Sequence, residues 1–77
     1  MPNVGKIGPY RLFFYSSNGV EPIHVHVERD DRVAKVWINP VRLQSSGGFG
    51  RSEMRDILSV VQENTEIIER MWHEYFD

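Results

Sequence analysis

The sequence predicts an α+β fold: a three- or four-stranded antiparallel sheet with one long C-terminal α-helix packed across one face. Apolar and polar residues alternate with a period of two in the first half of the 77-residue chain, and from Met54 onward the period changes to three and four. Tight-turn signals separate the alternating runs, which makes neighbouring strands antiparallel.

Taken in order, Tyr10-Arg11-Leu12-Phe13-Phe14-Tyr15 is rich in aromatic residues, which favour a pleated, half-buried surface. Ser16-Ser17-Asn18-Gly19 follows, and Asn-Gly marks a turn because both residues tolerate positive φ. Pro22 limits pairing where the next strand begins. Ile23-His24-Val25-His26-Val27-Glu28 alternates strictly. After the polar turn Arg29-Asp30-Asp31 comes a third strand, Arg32 to Ile38, closed by Asn39-Pro40, and Val41-Arg42-Leu43 can add a short fourth. The strands thus occupy about 9–43, within a single domain spanning 1–77.

Residues 44–51 read as a flexible loop in which Phe49 plugs the core. The Gly47-Gly48-x-Gly50 pattern lacks the Lys-Ser/Thr ending of a phosphate loop. A helix follows over about 52–76, with Ser52 as N-cap and Glu53 and Asp56 where the dipole favours acids. Met54, Ile57, Leu58, Val61, Ile68, Met71, Trp72 and Tyr75 form its apolar stripe. Asn64 and Thr65 interrupt that stripe, which predicts a polar patch or bend. An unbroken helix would span roughly 37 Å, more than such a sheet needs. Its overhanging end, with Met71, Trp72, Tyr75 and Phe76, is placed to clasp the sheet edge or another subunit.

Composition narrows the function classes. A chain this short buries only about 60–65% of its unfolded surface, so a partner or second copy helps to hold it together. Cysteine is absent, which excludes disulfides and thiolate metal sites. No apolar run approaches the roughly 20 residues of a membrane span. Met1 to Lys6 carries no secretory signal, and a cytoplasmic location is expected. Nine Lys+Arg against eleven Asp+Glu argue against a phosphate-driven duplex-DNA binder. The charges are unevenly spread: acids crowd the segment from Glu63 to Asp77, while most cations precede it.

Parity sorts the strands into two faces. Leu12, Phe14, Ile23, Val25, Val27, Ala34, Val36 and Ile38 form a wholly apolar set that should receive the helix. The other face collects Arg11, Phe13, Tyr15, His24, His26, Glu28, Val33, Lys35 and Trp37. A solvated structural face seldom needs three aromatics and two histidines, so this second face is the candidate site. On this assignment His24→Ala leaves the fold intact.

Four readings fit that face. Exposed aromatics on an open sheet often form a dimer or partner interface. Phe13, Tyr15 and Trp37 can instead stack bases of single-stranded RNA while Arg11, Lys35 and the histidines meet phosphate. In a third reading His24 and His26, roughly 6.5–7 Å apart along the strand, act as base and acid of a metal-independent ribonuclease, with Lys35 or Arg11 stabilising the added charge. The fourth places a metal on His24 and His26. The ends of the His24, His26 and Glu28 triplet are too far apart to share an ion without a bend, and His73 falls on the helix. No metal ligand set and no cofactor are therefore assigned.

Several segments together resemble the "domain of unknown function 4160" family. They are Met1-Pro2-Asn3-Val4, Tyr10 to Ser16, Glu21-Pro22-Ile23-His24-Val25-His26-Val27, Ala34 to Val41, Gly48-Phe49-Gly50, and the helix with Glu63-Asn64 that ends in Trp72-His73-Glu74-Tyr75-Phe76. The Glu-Pro-x-His-Val-His-Val segment is the most specific. The family pattern more often has a second proline where Ile23 stands, a departure that alters how the strand begins more than its chemistry. The resemblance implies a bacterial, single-domain protein encoded beside another small domain, an arrangement similar to two-gene toxin–antitoxin modules. It implies a small cognate partner protein, keeps RNA-directed activity open, and supplies no catalytic residues; the short chain and the aromatic face point equally to a homo-oligomer.

Overall fold

The computed structural model of the chain describes residues 3–15 and 20–77. Five strands run in chain order: β1 (Asn3–Ile7), β2 (Tyr10–Phe13), β3 (His24–Arg29), β4 (Arg32–Ile38) and β5 (Val41–Ser45). They form one antiparallel sheet in which each strand lies beside its sequence neighbours. Two helices follow, α1 (Arg51–Glu63) and α2 (Thr65–Phe76). The fold is α+β as expected, with five strands in place of three or four and two helices in place of one.

The extra strand is β1, which alternation does not reveal. Gly5 sits in it at φ 153°, where the pairing with β2 shifts register, and a glycine inside a strand both weakens and disguises it. The proposed Ser16–Gly19 turn lies outside the described residues. Between β3 and β4 the polar turn is present, with Asp30 at φ 58°, a conformation that Asp tolerates better than most side chains. The fourth strand is real and longer than expected, running to Ser45 as β5.

The apolar set predicted from parity is the core, except that Ile23 is only partly buried against it. Leu12, Phe14, Val25, Val27, Ala34, Val36 and Ile38 are buried, together with Phe49, Met54, Ile57, Val61, Ile68 and Trp72. Each large apolar side chain so buried contributes about 1.5–3 kcal/mol relative to leaving it in water. Phe49 does plug the core, and the loop that delivers it presses on the sheet. A Cβ at Gly47, which has φ 61°, would overlap the Val33 carbonyl.

The helix begins one residue before its expected cap. Gly50 is the N-cap and no side chain caps the first turn, so Ser52 does not play that part. Glu53 meets the need for negative charge there. Its carboxylate also accepts from the Tyr10 hydroxyl at 3.1 Å and from Arg29 at 2.7 Å. These bonds tie the start of α1 to β2 and β3.

The expected bend is a break. Asn64 (φ −120°, ψ 17°) ends α1 and caps α2. Its Nδ2 donates to the Val60 carbonyl at 2.7 Å and Thr65 Oγ1 to the Gln62 carbonyl at 3.4 Å. Such local bonds compete with the helical ladder. The break turns α2 so that Trp72 packs edge-on against Phe14, with ring centres 5.2 Å apart, and Phe76 lies beside both. The C-terminal segment thus packs on Phe14 just past β2 and on His24 at the start of β3, while Met71 and Tyr75 lie beside Asn3 of the edge strand β1. Among the described residues no helix is long and apolar enough to cross a membrane.

Candidate functional site

Pairing register builds the second face in three rows. Arg11 lies opposite Glu28, which lies opposite Val33; Phe13, His26, Lys35 and Ser45 form the middle row; His24, Trp37 and Arg42 form the last. Every strand residue assigned to this face by parity is thus brought together. Tyr15 lies just beyond β2, yet its ring packs 4.5 Å from His26 and 5.3 Å from Phe13.

Depth is what parity fails to predict. His24 and Phe13 are essentially inaccessible and His26 is 7% exposed. The two imidazoles stand 5.2 Å apart, closer than their spacing along the strand. Phe13 stacks on one side of His26 at 5.4 Å. His24 is enclosed by Trp37 at 5.6 Å and by Trp72, reaching over from α2, at 5.2 Å. The expectation that His24 lies on an open face is corrected: Trp72, distant in sequence, closes over it.

The His24 tautomer follows from its partner. Nδ1 lies 2.9 Å from the Pro22 carbonyl, which can only accept, so Nδ1 carries the proton and Nε2 a lone pair. That Nε2 is buried and has no hydrogen-bond partner among the described residues. Burial, with Lys35 nearby, lowers the pKa of His24, against the opposing bond to Pro22 and the charge of Glu21. For His26, burial first, then His24 and Lys35, push the value down to about 4. Both shifts favour the neutral imidazole, the form that serves as the base rather than the acid of a histidine acid–base pair.

Two of the three cations in these rows, Arg11 and Lys35, are engaged, whereas Arg42 is exposed and has no ion pair among the described residues. Arg11 places Nε and Nη2 each 2.7 Å from Glu28, donates from Nη1 to Asn3 at 3.0 Å, and lies 4.3 Å over the Phe13 ring. Lys35 donates to Glu21 at 2.6 Å and lies 5.0 Å from the Trp37 ring centre. The bond from Lys35 in turn lowers the Glu21 carboxyl pKa. The surface presented therefore has aromatic edges between two internal ion pairs, with the Arg42 guanidinium as the one cation of the three rows without an ion pair among the described residues.

Three contributors escaped the sequence reading. Glu21 lies outside any strand, and Trp72 reaches the site only through the turn at Asn64. Arg42 joins the last row because β5 pairs in register with β4, a signal that Trp37–Ile38 and Val41–Arg42 carried in their turn spacing. His73 is elsewhere, exposed on α2 and 2.7 Å from Asp77. Among the described residues no group of three His, Cys, Asp or Glu side chains is placed to hold a metal ion.

No curated protein and no solved structure shows a significant match to this chain. One family does match, described as "Domain of unknown function (DUF4160)", over residues 10–73. The matched stretch runs from the start of β2 into the last turns of α2 and includes every histidine and aromatic of the second face. The chain is a member of the DUF4160 family.

Proposed function

We propose that this protein is a protein-interaction component of a small two-gene regulatory or toxin–antitoxin-like module, working in the bacterial cytoplasm, and that its strand face is the docking surface. The partner is a small cognate protein or a second copy of the chain. One observation carries the reading: the face is aromatic, and two of the three cations in its rows are tied up in ion pairs within it, Arg42 being the exception among the described residues. Arg11 and Lys35 are bound to Glu28 and Glu21, so phosphate would have to displace a carboxylate from each. Protein contacts ask less, because Tyr15, Trp37 and the stems of Arg11 and Lys35 offer apolar surface without breaking those pairs.

RNA binding and metal-independent cleavage through His24 and His26 form the competing reading. Buried imidazoles that favour the neutral form weigh against it. The experiment runs both side by side. Sedimentation of the purified chain, alone and with the product of the adjacent gene, is compared with Tyr15→Ala/Trp37→Ala. Labelled single-stranded RNA is incubated with the same samples, with and without EDTA, beside His26→Gln. A complex or dimer that the double variant weakens at least tenfold, with intact RNA throughout, is the expected result. EDTA-resistant cleavage that disappears in His26→Gln would overturn the proposal in favour of a ribonuclease.

A further inference from the structure

Helix α2 is amphipathic twice over. Ile68 and Trp72 are buried in the core, but one step around the helix Ile67 is 40% exposed and Tyr75 48% exposed. Met71, between them, is only partly buried. Positions four apart lie one above another on a helix, so these three form a single stripe. Beside it opens a cavity of about 260 Å³ lined by Asn3, Phe14, Met71, Glu74 and Tyr75. Phe14, a core ring, is part of its lining. An apolar stripe next to an indentation matches the way helices dock in grooves, with one large side chain as anchor.

Charge decides what fits. From Glu63 to Asp77 there are five acids and one Lys or Arg, Arg70. Glu63, Glu66, Glu74 and Asp77 are exposed and Glu69 is half-buried. Of these five acids, all of them described residues, only Asp77 is engaged in an ion pair, with His73. A second copy of this stripe would set acids against acids as the apolar surface closed. Nucleic acid and anionic membranes are repelled for the same reason. A helix that flanks its own apolar stripe with Lys and Arg gains on both counts.

We propose that the Ile67–Met71–Tyr75 stripe is a docking surface for a cationic amphipathic helix of another protein, one of whose apolar side chains enters the cavity beside Phe14. This surface belongs to the helical layer and does not depend on the strand-face reading.

The test uses two helical peptides with the same leucine pattern, one with lysine at its polar positions and one with glutamate. Each is titrated into the isotopically labelled full chain near physiological salt, and backbone amide shifts are followed. The lysine peptide is expected to shift Ile67, Met71, Tyr75 and Asn3 saturably while the glutamate peptide does not. Ile67→Ser/Tyr75→Ser, at exposed positions that leave the fold intact by circular dichroism, should weaken binding about tenfold, or about 1.4 kcal/mol. Equal binding of both peptides, or affinity unmoved by the double variant, would overturn the proposal. So would shifts confined to Arg11–Trp37, or a concentration-dependent dimer mapped to α2. Failure of the strand-face reading is seen separately, in the response of sedimentation to Tyr15 and Trp37.

Discussion

His24 and His26 stand two residues apart on β3 and face the same way, yet neither behaves as a surface histidine. Proton affinity shows the difference. Folded His26 has a pKa of about 4 against the ordinary 6.5, so between those values the unfolded chain binds more protons. Stability is then complete above about pH 6.5 and falls as the pH drops through the window, by about 3 kcal/mol in all. His24 acts in the same direction. A melting temperature that declines from pH 6.5 to 4, with a shallower decline in His26→Gln, is the expected result. Glu21, held low by Lys35, loses its contribution only further down, below its ordinary value. Size matters as well as charge. His24→Ala would be harmless on an open face, but the ring fills space between two tryptophans. Its removal is expected to cost about 2 kcal/mol by leaving a cavity, measurable by urea denaturation.

At the level of the element, the strands that alternate strictly are the ones the sequence makes legible. β3 and β4 were readable because Val25, Val27, Ala34, Val36 and Ile38 recur every second residue. β1 was not, because Gly5 and Lys6 dilute its pattern and a bulge interrupts its pairing. The helical region was half legible. Asn64 and Thr65 announced an interruption, but whether a polar pair bends a helix or ends it depends on which carbonyls the side chains reach. Parity likewise gave the direction of every side chain on the second face and nothing of its depth, since Trp72 arrives from another layer. The start of α1 supplies its own prediction. With no capping side chain, Glu53 holds that turn to Tyr10 and Arg29. Glu53→Ala should cost about 1 kcal/mol and speed amide hydrogen exchange in the first turns of α1 more than in α2.

For the molecule as a whole, the two layers divide their duties. The sheet presents a face on which Arg11 and Lys35 are paired with carboxylates and Arg42 is not, and the helical layer presents a stripe flanked by mostly unpaired acids. Membership of the DUF4160 family fixes neither role, so each rests on its own measurement: sedimentation for the strand face and peptide titration for α2. The pairing order has another result. Among the described residues, a sheet ordered β1-β2-β3-β4-β5 ends in two borders with no further strand beside them, and on β5 Arg42, Leu43, Gln44 and Ser45 are all exposed. Each border offers a row of free backbone donors and acceptors to any passing extended chain. The bulge on β1 and the register shift beside β5 disturb that template, while Lys6 and Arg42 place a cation on each border. Colloidal behaviour therefore depends on ionic strength: salt that screens those two charges removes part of what keeps one sheet from lengthening into the next.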